Sequence, residues 1–165
     1  MVSSAPFFER QVTIMLELAT ISDWEDINRL SAQVSELHTA WRPDLFRNAE
    51  ISYPKEVLEQ MIREKQLFVA KVNGTVVGYT AFWIWDANGP CSVPRKVLSI
   101  NAFCVDEMAR GHGIGTQMMA ELRILGKAFG CSDLQLTVYP QNDEAVSFYQ
   151  KCGFTIKSID MQRKI

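Results

Sequence analysis

The stretch RGHGIGTQ, Arg110 to Gln117, places glycines on three alternate positions, behind an apolar run and ahead of residues at helical spacing. No other feature of the chain restricts its fold as much. A strand that turns through glycines into a helix leaves amide N–H groups without partners at the positive helix end. Glycine permits positive φ there and removes the Cβ that would block close approach. An anion with several oxygens, phosphate foremost, is the natural occupant of such a cradle.

Spacing separates the cofactor classes that use one. The Walker pattern GxxxxGK[ST] is absent, because Thr116 and Gln117 follow Gly115 and no lysine is there to reach a phosphate. The dinucleotide pattern GxGxxG also fails. Counted from Gly111, its third glycine falls on Thr116, and the motif stands two-thirds along the chain rather than after an early strand.

The flanks place the stretch in a chain of alternating elements. Lys96 to Val105, with its apolar run VLSINAFCV, reads as a buried central strand. Ile114, Met118, Leu122, Leu125 and Phe129 predict a helix over 113–129. Upstream, Leu67 to Val72 and Thr75 to Trp85 form a hairpin about Asn73-Gly74. Val12 to Leu18 reads as a first strand, and Ser22 and Glu25 as a capping box opening a helix. Ile27, Leu30, Val34 and Leu37 give that helix its apolar stripe to an end near His38.

A loop limited by Pro43 and Pro54 leads to a shorter helix around Leu58, Met61 and Ile62, and this region reads as a lid rather than core. After the glycines, Asp133 to Val138 is a strand, Asn142 to Cys152 a helix ended by Gly153, and Phe154 to Arg163 a final strand. The expected order is β-α-α-β-β-β-α-β-α-β.

Composition narrows the function. A chain of 165 residues with 47% hydrophobic content builds one core, so 1–165 is expected to be a single domain with residues 1–11 a poorly ordered extension. A formal charge of −2 offers no basic field, which argues against nucleic acid as a partner. The first residues lack the basic-then-apolar pattern of a targeting segment, and no apolar run approaches the roughly 20 residues of a membrane span. A soluble protein with no membrane partner is expected. Cys91, Cys104, Cys131 and Cys152 are irregularly spaced and only His38 and His112 could join them, so no metal site is expected. Free thiols beside apolar segments suit a reducing compartment, the cytoplasm.

Arg110-Gly111-His112-Gly113-Ile114-Gly115 fits (R/Q)xxGx(G/A) and resembles the pyrophosphate-binding motif of the GNAT superfamily of acetyl-CoA-dependent N-acetyltransferases. INAFCV before it and NDEAVSFYQKCGF after it resemble the same core, from about Leu67 to the end of the chain. The resemblance implies an α/β fold with a mixed, mostly antiparallel sheet flanked by helices. It implies acetyl-CoA as cosubstrate, its pyrophosphate on the backbone from Arg110 through Gly111, His112, Gly113, Ile114 and Gly115 with Thr116. It also implies that Phe103, Cys104 and Val105 hold the pantetheine arm by their backbone, that Asn142 lies near that arm, and that Ala145 and Phe148 wall the cofactor. Tyr149 matches the tyrosine that in many relatives protonates the departing thiolate, a role a nearby hydroxyl suits once an amine has attacked the thioester. A backbone N–H near Val105 is placed to stabilise the oxyanion of that attack. The partner implied is an amine acceptor that no motif in SELHTAWRPDLFRNAEIS names, and a homodimer is open.

Other residues admit two readings. His112 reads as an exposed loop residue rather than a base. His38 either contacts substrate or ends its helix with a favourable charge. Asp106 and Glu107 either assist deprotonation or are simply solvated. Trp83 and Trp85 line a channel or pack. From another class, a non-catalytic acyl-CoA-binding regulatory domain also accounts for the cradle.

Overall fold

The computed structural model describes residues 13–165. The expected extension, residues 1–11, and Val12, expected to begin the first strand, lie outside them. Strand β1 is Leu16–Leu18 and pairs antiparallel with β2, Leu67–Val72. β2 turns into β3, Thr75–Ala87, through Asn73 at φ 51° and Gly74 at φ 80°. Two successive positive φ values match the twist of a tight hairpin, the reason the Asn-Gly pair marks one. β4, Arg95–Val105, pairs antiparallel with β3 and parallel with β5, Asp133–Leu136. The sheet runs β1-β2-β3-β4-β5 and is mixed and mostly antiparallel, as expected.

Helices cover both faces. α1, Trp24–Trp41, and α2, Lys55–Arg63, lie on one side, where Ile27, Leu30 and Leu58 are buried against Leu67, Val69, Tyr79 and Cys104, so α2 is part of the core and not a lid. α3, Ile114–Ala128, lies on the other, with Met118 and Leu122 buried against Phe82, Leu98 and Ala70. α4, Asp143–Lys151, adds Phe148 and Tyr149 to that second face. The strands alternate between the two cores with period two, and the helices meet them with their 3.6-residue stripes.

Three further expectations are corrected. The capping arrangement sits two residues earlier: the Asp23 carboxylate accepts from the Thr20 N–H at 2.8 Å and the Thr20 hydroxyl at 3.0 Å. Asp23 is buried and bonds Lys71 at 2.9 Å, an anchor to β2 that the local motif does not reveal. α1 runs on to Trp41 rather than stopping near His38, since nothing before Pro43 breaks it. The expected last strand, Phe154 to Arg163, joins no ladder among the described residues. β5 offers an edge of only four residues, and side-chain bonds tie the segment down instead: Lys157 Nζ to Gln135 Oε1 at 3.2 Å, and Arg42 to Gln162 at 3.0 Å.

Candidate active site between β4 and β5

The site begins with a break in pairing. β5 follows β4 only from Val97 opposite Asp133 to Ile100 opposite Leu136, and β4 then continues to Val105 with that edge open. On its other side β4 stays paired with β3 through a bulge, Ala81 opposite Ala102 and Phe82 opposite Ile100, that leaves Asn101 as the extra residue. The bulge lets Ile100 and Phe103 both face α3 while Ala102 and Cys104 face α1.

Alternate peptide groups of an extended strand point to opposite edges. The Asp106 N–H donates to Val77 O at 2.8 Å on the β3 side, so Val105 and Phe103 turn their peptide groups to the open edge. The Val105 carbonyl there accepts from Arg110 Nε at 3.1 Å. A row of main-chain donors and acceptors thus faces a cleft of 720 Å³ lying between the diverging strands.

The glycines close one end of this cleft, and they do two different jobs. Gly111 at φ 81° and Gly113 at φ 76° hold the left-handed conformation that turns the chain into α3, and a Cβ on either would meet nothing within 4 Å. Their requirement is conformational. Gly115 is inside the helix, where a Cβ would lie 3.3 Å from Phe148 Cζ and 3.5 Å from Val105 Cγ2, so its requirement is space. Gly113, the N-cap of α3, has no side chain to cap it, and the first N–H groups of the helix carry the partial positive charge of a helix start. The space beside Gly111 and Gly113 is open, which leaves room at the loop for an oxyanion.

Arg110, Gly111, Gly113, Ile114, Gly115 and Thr116 all line the cleft. Phe103, Cys104 and Val105 line it from β4, and Asn142, Ala145, Phe148 and Tyr149 from α4. His112 does not: its ring lies outside, with Nδ1 2.9 Å from Arg110 O. Asn142 caps α4, its Oδ1 accepting from Ala145 N at 3.1 Å. Phe148 stacks on Phe103 at 5.8 Å, and Tyr149 meets Phe103, Phe148 and Phe154 edge-on. Burial pushes the Tyr149 hydroxyl up to about 12, so it keeps its proton throughout the neutral range. Burial likewise pushes the Cys104 thiol up to about 12, and its Sγ points to Leu30 O at 3.5 Å. An inert thiol follows, not a nucleophile.

Two further candidates are resolved by their neighbours. Burial alone would raise the Asp106 carboxyl, but bonds from Arg29, Met108 N and Gln33 hold it below its usual value. It thereby ties α1 to the end of β4 and is no free base. Trp83 and Trp85 lie outside the cleft, 45% and 37% exposed on the sheet.

His38 lines the far end of the cleft, and there the structure adds residues that sequence reasoning missed. Phe46 from the loop after α1 and Tyr139 from the segment after β5 line it too, with Tyr79 beneath. Phe46 and Tyr139 carry no local motif. The only signal was Tyr139 standing three residues before Asn142, on the chain leaving β5.

The acetyltransferase (GNAT) family model matches residues 33–154. The chain belongs to that family. The match takes in the far-end residues His38 and Phe46 as well as the GNAT loop and α4. An uncharacterized N-acetyltransferase of Methanocaldococcus jannaschii is 34% identical over 97 residues, 58% of this chain and 42% of that protein. An N-alpha-acetyltransferase of Sulfurisphaera tokodaii is 29% identical over 62% of this chain and 65% of its own. The chain thus spans less than two thirds of either curated relative. Among solved structures, a mutant of the BH1408 protein of Bacillus halodurans superposes with a TM-score of 0.84 at 28% identity, covering 93% of this chain and 99% of that one.

Proposed function

We propose that this protein transfers the acetyl group of acetyl-CoA to a primary amine by direct attack within a ternary complex. The observation that carries this reading is the continuity of the open β4 edge with the uncapped start of α3. One surface offers main-chain partners for an amide-bearing arm and then a cradle for a diphosphate, in the order in which coenzyme A presents them.

In this reading the backbone N–H groups from Arg110 to Thr116 hold the diphosphate oxygens, with the positive φ of Gly111 and Gly113 aiming them. His112 contributes its backbone alone. Phe103 and Val105 bond the pantetheine amides through their peptide groups, and Cys104 between them anchors the strand to α1. Asn142 holds the start of α4 in place, while Ala145 and Phe148 shape the wall. When bound, acetyl-CoA supplies an activated acyl carbon. The chain's own part is to orient that carbon, to offer the Val105 N–H region to the developing oxyanion, and to protonate sulfur. The amine nitrogen bonds to the acyl carbon, the C–S bond breaks, and the Tyr149 hydroxyl gives its proton to the sulfur. The amine's surplus proton passes to solvent and the hydroxyl is reprotonated from there. A phenol with its pKa near 12 is always charged with the proton this step needs.

The test is product formation. Incubated with acetyl-CoA and a mixed pool of primary amines, the protein yields species 42 mass units heavier, roughly the mass of an acetyl group replacing a proton, together with free thiol, and Tyr149→Phe yields far less. Binding of acetyl-CoA with no amine-dependent thiol release across the pool would favour a regulatory acyl-CoA-binding domain.

A further inference from the structure

The far end of the cleft is walled by rings. His38, Phe46 and Tyr139 form a closed triangle, with centroids 5.1 Å apart for His38–Phe46, 5.4 Å for His38–Tyr139 and 5.6 Å for Phe46–Tyr139. Both Tyr139 contacts are edge-to-face, the preferred arrangement of aromatic pairs. Trp41 stands behind the imidazole at 6.0 Å. The wall is built in advance, since a tight turn returns Phe46 to the helix: Arg42 N donates to His38 O at 2.8 Å, and Leu45 N and Phe46 N both donate to Arg42 O at 2.9 Å. The Arg42 guanidinium pins that turn by bonding Asp44 at 2.9 and 2.8 Å and Gln162 at 3.0 Å.

Charge is what this end lacks. Among the described residues that line the cleft only Arg110 and Glu144 carry formal charge, and neither lies on α1 or the turn after it. Val34, Leu37, Thr137 and Val138, from the same elements as the rings, line the cleft with them. Burial also lowers the His38 pKa, so its ring is neutral at neutral pH and does not repel an incoming ammonium. A polyamine, an aminoglycoside or a sugar phosphate brings several charges that would lose water against this wall, where α1 and the turn after it supply no charged lining residue. An aromatic body instead replaces water on three ring surfaces.

We infer that the His38–Phe46–Tyr139 wall is the acceptor subsite and that it selects primary amines carried on an aromatic group. This rests on the acetyl-transfer reading above and specifies its substrate class. The wall grips the non-reacting ring of the acceptor, leaving the amine directed along the cleft toward the β4 edge.

Steady-state kinetics at saturating acetyl-CoA compare 2-phenylethylamine with butylamine, spermidine and kanamycin, with acetyl-CoA affinity measured separately by calorimetry. The expected kcat/KM is at least roughly tenfold higher for 2-phenylethylamine than for butylamine, and higher still over the two polycations. Phe46→Ala is expected to cost about tenfold in kcat/KM for 2-phenylethylamine, mainly through KM, a smaller factor for butylamine, and nothing in acetyl-CoA affinity. Phe46→Leu keeps the volume should the alanine variant fold poorly, and it is expected to lower the aromatic preference as well. Equal rates for butylamine and 2-phenylethylamine, or a preference for either polycation, overturns the inference while leaving acetyl transfer standing. Failure to bind acetyl-CoA overturns both.

Discussion

The two ends of the cleft are made from different materials. At the α3 end the groups proposed to bind are backbone amides, held by the conformations of Gly111 and Gly113 and by a helix start. At the α1 end the groups are side chains, brought together from a helix, a turn and the loop after β5. A backbone cradle is specified by which residues have no side chain, and it suits a ligand that never changes. A wall of rings from separate segments is altered one residue at a time, and it suits an acceptor that differs between relatives.

The largest effect should come from attacking the backbone end. Gly113→Glu forces a side chain into the left-handed region and aims a carboxylate at the cradle, and acetyl-CoA affinity is expected to fall more than about a hundredfold in a calorimetric titration. Loss of affinity at His112→Ala of similar size would instead break the distinction, because that side chain does not line the cleft.

Tyr149 joins the two ends and tests the chemistry between them. Tyr149→Phe is expected to lower kcat about a hundredfold while acetyl-CoA affinity is unchanged. Because its hydroxyl lies near pKa 12, the wild-type rate should show no alkaline decline from this group below about pH 11.

Sequence reading reached these two ends unequally, for the same reason. Asn73-Gly74, the stripe from Ile114 to Leu122, and the glycines ahead of α3 are local patterns whose conformation is fixed by neighbours within a few residues, whereas Asn142 and Tyr149 were singled out only by the family resemblance. The β4 bulge at Asn101 has no such pattern, since it arises from register with β3. Phe46 and Tyr139 meet across 93 positions of chain, and Asp106 is withdrawn from chemistry by Arg29, 77 positions away. The Phe154–Arg163 stretch alternates like a strand but finds only a four-residue edge beside it, so its pattern has no ladder to join.

A smaller effect separates the glycines themselves. Gly113→Ala is expected to cost about 1–2 kcal/mol in urea unfolding, because alanine resists positive φ. Gly115→Ala should stay within about 0.5 kcal/mol, as its gain in helix propensity offsets a few tenths of an ångström of yielding by Phe148 at the open cleft.

The smallest effect is at the other end. His38 has a folded pKa below its unfolded value near 6.5, so protonation favours the unfolded chain. Stability from keeping this ring neutral is present above that value and is lost as pH falls through the folded one. Neighbouring Asp44, held to about 2 by Arg42, does not titrate in that window. Urea midpoints at pH 7.5 and 5.5 should therefore diverge less in His38→Phe than in the wild type.

The central claim is that a side-chain-poor loop holds a diphosphate at the start of α3, and calorimetric titration with acetyl-CoA and with S-acetylpantetheine, which lacks the diphosphate, tests it most directly. Several charge-assisted backbone bonds predict that acetyl-CoA binds at least about a hundredfold more tightly. Equal affinities for the two would contradict the account, leaving the glycines as nothing more than a turn.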